Sequence, residues 1–280
     1  MPDRTTGWQA MAAVLRCPAC PGSEFRMAAA DLVCTCCERR YRPRHGVLDL
    51  AGTGNAAGDR PYEGFWATVY GWVMDRPGRQ RLDAWLLGLD VRRYYREVIA
   101  RLEGCGAGPH LELPCGNLPF LELTEAYRAG GPWIFADLSS AMLGKLARKL
   151  DADGADGQVL LRADACSLPV RDGRLRTIVS LFGLHCFHDK AAVFAELRRC
   201  LHPEGKLVLS TLTADGSALS RGYHRLNQLD GTFAPAATAA EIVASARRHG
   251  FEIEDEFRQG SVFLCTASPR APEHGKENTA

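Results

Sequence analysis

Between residues 109 and 268 the sequence switches repeatedly between short apolar runs and amphipathic stretches of helical spacing, and nothing else in it restricts the fold as much. Residues 110–113, 132–136, 158–161, 175–184 and 206–212 read as strands. Residues 120–129, 139–150, 190–201 and 238–249 read as the helices between them and after them. The 175–184 run is almost continuously apolar, as a parallel strand covered on both faces must be. Residues 251–257 and 261–266 read as a closing antiparallel pair. Alternation of this kind predicts an α/β fold with a doubly wound, mostly parallel sheet, whose ligand sits beyond the carboxyl ends of the strands.

Polar residues fall at those ends. Glu112 closes the first strand, Asp137 the second, and Asp164 follows the third. A carboxylate after the second strand can accept hydrogen bonds from both hydroxyls of a ribose, and Asp164 can accept from an adenine amino group. A dinucleotide fingerprint is missing, because G-x-G-x-x-G needs two more glycines around Gly116 to seat a pyrophosphate on a helix N-terminus. The expected ligand is therefore a nucleoside without a pyrophosphate.

The first fifty residues carry a different signal. Five of the 11 cysteines lie between positions 17 and 37, as Cys17-Pro-Ala-Cys20, a spacer of 13 residues, and Cys34-Thr-Cys36-Cys37. Two C-x-x-C pairs can supply four thiolates to one tetrahedral zinc, so Cys17, Cys20, Cys34 and Cys37 are the expected ligands and Cys36 the spare. A segment this short needs such a staple, because its own core is too small.

Composition narrows the classes further. With 34 Lys+Arg against 33 Asp+Glu the net charge is +1, which disfavours a dedicated nucleic-acid binder. The basic run Arg39, Arg40, Arg42, Arg44, His45 reads as a solvated face. No apolar stretch approaches the roughly 20 residues of a membrane span, and residues 1–9 do not resemble a secretory leader, so no membrane association and a cytoplasmic location are expected. Residues 51–58 read as a Gly-rich linker. Aromatic residues Tyr62, Phe65, Trp66 and Tyr70 and the helix-like stretch 79–102 follow, as packing residues or as a cap over a ligand. The expected organisation is zinc ribbon and linker over 1–57, helical cap over 58–106, catalytic α/β domain over 107–268 and a disordered tail over 269–280.

Two family resemblances sharpen these expectations. Residues 14–51, with Leu32-Val33-Cys34 and Tyr41-Arg42-Pro43-Arg44-His45-Gly46-Val47-Leu48-Asp49-Leu50, look like the small zinc ribbon that serves as an activator subunit for several methyltransferases and is often fused ahead of bacterial methyltransferase domains. The segment is also similar to the zinc finger of guanine-N1 rRNA methyltransferases, which usually carry His where this chain has Cys37. Residues 107–213 resemble the class I S-adenosylmethionine-dependent methyltransferases. Leu111-Glu112-Leu113-Pro114-Cys115-Gly116-Asn117 looks like the family's first motif, and Phe135-Ala-Asp137-Leu138-Ser139-Ser-Ala-Met142 like its second. Arg162-Ala-Asp164-Ala165-Cys-Ser-Leu168-Pro169 resembles its third, and 196–209 the helix-turn-strand after it. The implied sheet is seven-stranded and Rossmann-like. The implied S-adenosylmethionine site comprises Glu112, Pro114, Gly116, Asn117, Asp137, Leu138, Met142, Asp164, Ala165 and Leu181.

The sequence departs from the family at Leu118, where a third glycine is usual, and at Arg176, where an Asp often enters the fourth strand. The Asp/Asn-Pro-Pro-aromatic motif of nucleic-acid amino methyltransferases is absent. The loop after the fourth strand offers His185 and His188 as candidate bases or pocket-shaping residues. The stretch Arg221-Gly-Tyr223-His224-Arg225, after the fifth strand, reads either as lining an acceptor site or as plain loop. The implied activity is methyl transfer to a small-molecule acceptor. The alternatives are a methyltransferase for RNA or a translation factor guided by the ribbon, an enzyme that cyclises the cofactor's aminobutyrate arm, and a non-catalytic binding module.

Overall fold

A computed structural model describes residues 5–20, 22–52, 77–103, 105–116, 131–153, 158–229 and 231–271. Asn117, Leu118, the helix expected over 120–129, the aromatic residues between 62 and 70, and the tail from 272 lie outside them. The ribbon begins with helix α1 (Thr5–Ala12) and holds strands β1 (Phe25–Ala28), β2 (Asp31–Cys34), β3 (Arg40–Tyr41) and β4 (Val47–Asp49). Helices α2 (Pro77–Leu87) and α3 (Val91–Glu103) precede the sheet. Then come β5 (His110–Glu112), β6 (Trp133–Asp137), α4 (Ser140–Asp153), β7 (Val159–Arg162), β8 (Leu175–Leu181), α5 (Lys190–Cys200) and β9 (Leu201–Leu212). Helices α6 (Ala218–Leu229) and α7 (Ala239–Arg248) and the hairpin β10 (Phe251–Gln259) and β11 (Val262–Pro269) complete the described order.

The large sheet has the order β10-β11-β9-β8-β5-β6-β7-β4. Strands β4 to β9 in it run parallel, while β11 is antiparallel to both β9 and β10. The chain builds outward from β5 through β6 to β7, then returns to place β8 on the other side of β5, so the switch point lies at the carboxyl ends of β5 and β8. Side chains alternate between the faces. Ile134, Leu161, Ile178 and Leu207 face one core, with Phe194 of α5 and Ile242 of α7. Trp133, Phe135, Val179 and Val208 face the other, with Tyr94 and Val98 of α3 and Leu146 of α4.

Three expectations change. Among the described residues the large sheet has eight strands rather than seven, because Val47–Asp49 at the end of the ribbon pairs parallel with β7. The fourth strand stops at Leu181, not 184: Phe182 takes a left-handed φ of 53° and a 3-10 turn, Leu184–Cys186, follows. The stretch around Tyr223 is helix α6, not loop. Its polar residues Ser220 and His224 are the ones that face inward, so an apolar-periodicity reading passes over it.

The ribbon shares the sheet's core. Trp8, Met11, Leu15, Phe25, Leu32 and Leu48 belong to the same buried cluster as Ala163, Leu168 and Val170. Backbone bonds join Arg16 N–H to the Pro169 carbonyl (3.0 Å) and Arg171 N–H to the Val14 carbonyl (2.8 Å). Leu48 is completely buried, so Leu48→Ala is expected to cost about 2–5 kcal/mol by losing packed methyl groups. Because the core is shared, chemical denaturation followed by far-ultraviolet circular dichroism and by tryptophan fluorescence should show that loss in both signals together.

Candidate functional site

The rim at the carboxyl ends of the parallel strands gathers the expected cofactor residues. After β5 the chain turns at Pro114, and Gly116 adopts φ +50°, a left-handed conformation that glycine enters without strain. Its N–H donates to Asp137 Oδ2 at 2.9 Å, and Ser139 N–H donates to Asp137 Oδ1, also at 2.9 Å. Asp137 is buried, so these two backbone donors offset the cost of removing its charge from water. Ser139 Oγ in turn accepts from Met142 N–H at 3.3 Å, which seats the start of α4.

Across the switch point the fit is close. A Cβ added to Gly183 would lie 2.2 Å from Pro114 Cδ, so only glycine lets the loop after β8 pass the loop after β5. Leu181, just before it, is buried in the same cluster as Cys115. After β7, Asp164 Oδ1 accepts from Cys166 N–H at 2.9 Å and the Asp164 carbonyl accepts from Ser167 N–H at 3.1 Å, which makes a tight turn with Ala165 buried inside it. Arg162 Nε donates to the carbonyl of Leu138 at 3.0 Å. Glu112 is buried at the end of β5. Burial raises the Cys115 thiol well above its usual range, and the nearby charges of Asp137 and Glu112 push it the same way. Three carboxylates on one rim suit a ligand with cationic groups.

The two histidines part company. His188 is exposed beside Asp189, the N-cap of α5, whose carboxylate accepts from Ala192 N–H. His185 is buried, with Phe233 at 4.5 Å edge-on and His224 at 6.4 Å. Burial, reinforced by His224 and Lys190, pushes its imidazole down to about 3. His185 Nδ1 lies 3.3 Å from Thr211 Oγ1, whose hydroxyl donates to the Leu212 carbonyl at 3.4 Å. Nδ1 is then the donor, and Nε2 keeps the lone pair. His224 donates from Nε2 to the Ala234 carbonyl at 3.2 Å, and Ala234 N–H donates to the His185 carbonyl at 2.8 Å. Thr211 and Phe233 carry no sequence signal for this role. Only the approach of β9 and the segment after α6 brings them to His185.

The four expected zinc ligands converge as well. The Sγ atoms of Cys17, Cys20, Cys34 and Cys37 all lie within 4.8 Å of one another, with Cys17 and Cys37 3.9 Å apart. A tetrahedron with Zn–S bonds of ~2.3 Å has edges of about 3.8 Å, so the donor set fits that ion. Burial alone would push the Cys34 thiol up. The N–H groups of Cys37 and Cys36 and the Ser23 hydroxyl outweigh it, and the thiol is drawn down to about 6. Cys36 points its N–H at the cluster and is itself exposed. In the basic run, Arg42 is already forked onto Asp31, at 2.7 and 3.0 Å.

With this geometry in place, the comparisons become informative. Residues 111–209 match the family model described as "Methyltransferase domain". Residues 111–209 thus carry a methyltransferase domain of the S-adenosylmethionine-dependent kind. The chain is similar to a malonyl-[acyl-carrier protein] O-methyltransferase of Alcanivorax borkumensis, at 29% identity over 65% of this chain and 61% of the relative. It is also similar to a demethylmenaquinone methyltransferase of Thermus thermophilus, at 32% identity over 44% of this chain and 54% of the relative. The chain thus spans about half to six-tenths of the length of these curated relatives. Among solved structures, a chain from the complex of the Haloferax volcanii Trm112 methyltransferase activator with a methyltransferase shares the fold, with a TM-score of 0.55 at 16% identity, covering 70% of this chain and 99% of that one. Among the described residues no helix is long and apolar enough to cross a membrane.

The buried histidines carry a pH signature. His185 is held far below its usual 6.5, and burial lowers His224 too, so between about 3 and 6.5 the unfolded chain binds protons that the folded chain does not. Stability should fall as pH drops through that window. Urea titrations at pH 7 and pH 5 should show the loss, and His185→Gln should shrink it.

Proposed function

We propose that the chain transfers a methyl group from S-adenosylmethionine to a small-molecule acceptor. The observation that carries this is Asp137, a buried carboxylate oriented by the Gly116 and Ser139 amides at the end of β6, between the carboxylates of Glu112 and Asp164. In this reading Asp137 takes the ribose hydroxyls, Asp164 the adenine amino group and Gly116, with Glu112, the aminoacyl arm. Leu138 and Met142 border the ribose, Pro114 and Leu181 border the sulfur, and Ala165 borders the adenine. The acceptor class is supported by the names of the relatives, which act on a quinone and on a carrier-bound malonyl group.

Bound S-adenosylmethionine supplies an already activated methyl, so the protein's share of the work is alignment for in-line displacement and exclusion of water. Buried His185 and Phe233, with the half-buried Phe182, supply an aromatic wall next to the rim. A general base works best with a pKa near the working pH, and the buried His185 is far below it. We therefore assign His185 to shaping the acceptor pocket, with Nε2 as a hydrogen-bond acceptor, and give the exposed His188 no chemical step.

Asp137→Ala leaves two ribose hydroxyls without a partner, a loss of roughly 2–4 kcal/mol in affinity for S-adenosylhomocysteine by calorimetric titration. Unchanged affinity would place the cofactor elsewhere. The same preparation, incubated with S-adenosylmethionine and candidate acceptors, should yield S-adenosylhomocysteine, and His185→Gln should retain most of that turnover. Methylthioadenosine formed at a catalytic rate without acceptor would replace methyl transfer by cyclisation of the aminobutyrate arm.

We further propose that Cys17, Cys20, Cys34 and Cys37 hold one structural zinc, which makes residues 1–57 a ribbon attached to its own methyltransferase domain. The Haloferax complex of a methyltransferase with an activator supports an activating role for the ribbon. Elemental analysis should find one zinc per chain. Cys36→Ser should keep the metal, and Cys34→Ser should lose it together with the ribbon's order, because metal binding at such sites is worth on the order of 10–16 kcal/mol.

A further inference from the structure

Strand β7 ends in Arg162, whose side chain reaches both neighbouring strands' ends. Arg162 stands in register with Asp137 of β6 on one side and with Asp49 of β4 on the other. Its Nε donates to the Leu138 carbonyl at 3.0 Å. Its Nη1 reaches the Asp49 carboxylate, 3.2 Å from Oδ2 and 3.5 Å from Oδ1. Its backbone carbonyl accepts from Leu50 N–H at 2.9 Å. One guanidinium thus ties the last ribbon strand to the peptide that follows Asp137, and the main chain running on from it leads within two residues to Asp164.

The same segment is gripped from a second direction. Past Asp164, Pro169 and Arg171 are bonded to Arg16 and Val14, immediately before the first cysteine of the ribbon. Residues 163–168 therefore run between two ribbon attachments. Glu196 of α5 adds a third hold, accepting from Leu168 N–H at 2.7 Å.

We propose that Arg162 is a positioning residue through which the ribbon sets the geometry of the nucleoside-binding rim. This rests on the reading of Asp137 and Asp164 as cofactor contacts. A planar guanidinium holds two acceptors at fixed directions, which a Lys ammonium does not do. Arg162 fixes the Leu138 peptide, and with it the Asp137 carboxylate, relative to β4. Asp49 keeps Arg162 from swinging away. The chain then binds its nucleoside cofactor well only when β4 is in place. Neither Arg162 nor Asp49 touches the ligand in this scheme, so both act on affinity from behind the site.

Calorimetric titration with S-adenosylhomocysteine, on the full chain, tests this with five variants. Arg162→Ala is expected to raise Kd about tenfold and Asp49→Asn about threefold, with Arg162→Lys between them, each from the loss of one or two charge-assisted bonds. Arg171→Ala, which removes a different bridge between ribbon and domain (Arg171 to Glu24, 2.9 Å), should leave Kd unchanged. Asp137→Ala serves as the reference for the cofactor site itself. Hydrogen exchange of the ligand-free protein supplies a second readout, with amides of 163–168 exchanging faster in Arg162→Ala and Asp49→Asn but not in Arg171→Ala. Weak binding by Asp137→Ala together with wild-type Kd for Arg162→Ala and Asp49→Asn would overturn the positioning role and leave the cofactor site standing. Wild-type binding by Asp137→Ala would instead remove the site on which the proposal rests. Equal losses in Arg171→Ala and Asp49→Asn would reduce the effect to general loosening of the ribbon and also overturn it.

Discussion

Placing β5 between β6 and β8, all three parallel, covers both edges of the central strand and opens a crevice at its carboxyl end, where the winding reverses. Every polar group that the chain must present to a ligand is therefore forced onto one rim. The crossing of two loops there is so tight that Gly183 has no room for a side chain beside Pro114. The apolar alternation of the strands keeps both faces dry, and helices α3 and α4 on one side and α5 and α7 on the other close them.

On that rim backbone amides hold two of the carboxylates in place. Asp137 takes two such donors and Asp164 one, so much of the desolvation cost is met before any ligand arrives. Preorganisation of this kind suits a methyl donor that needs orientation more than chemical activation. Among the described residues the neighbouring His185 has no comparable charged partner. Its surroundings are aromatic and its imidazole is neutral, which makes that side of the rim a wall rather than a proton relay.

The ribbon depends on the domain as much as the domain uses the ribbon. A fifty-residue segment cannot bury enough surface by itself. Here it brings four thiols together, lends Leu48 and Met11 to the sheet's own core, and covers the outer edge of β7, which would otherwise be exposed. The ion pairs of Arg162 with Asp49 and of Arg171 with Glu24 lie over that seam.

Much of this was legible in the chain before any coordinates. Short, nearly continuous apolar runs mark the strands because a parallel strand is covered on both faces. C-x-x-C pairs mark four thiols that converge because each pair is held close by its own local turn, and an Asp closing the second strand marks a carboxylate on the rim because parallel topology puts the strand ends on one side. Four features stayed hidden for a common reason. Helix α6 turns Ser220 and His224 inward, so its pattern looks like a loop. Val47–Asp49 is too short to announce itself as a strand of a distant sheet. Thr211 and Phe233 reach His185 only when β9 and the segment after α6 pack together. Arg162 gains its role from partners 24 and 113 residues away. Local sequence sets backbone periodicity and ligand spacing, since both are short-range. Which edge is covered, which histidine is buried and which arginine bridges two strands depend on contacts between segments remote in sequence, and those exist only once the chain has closed on itself.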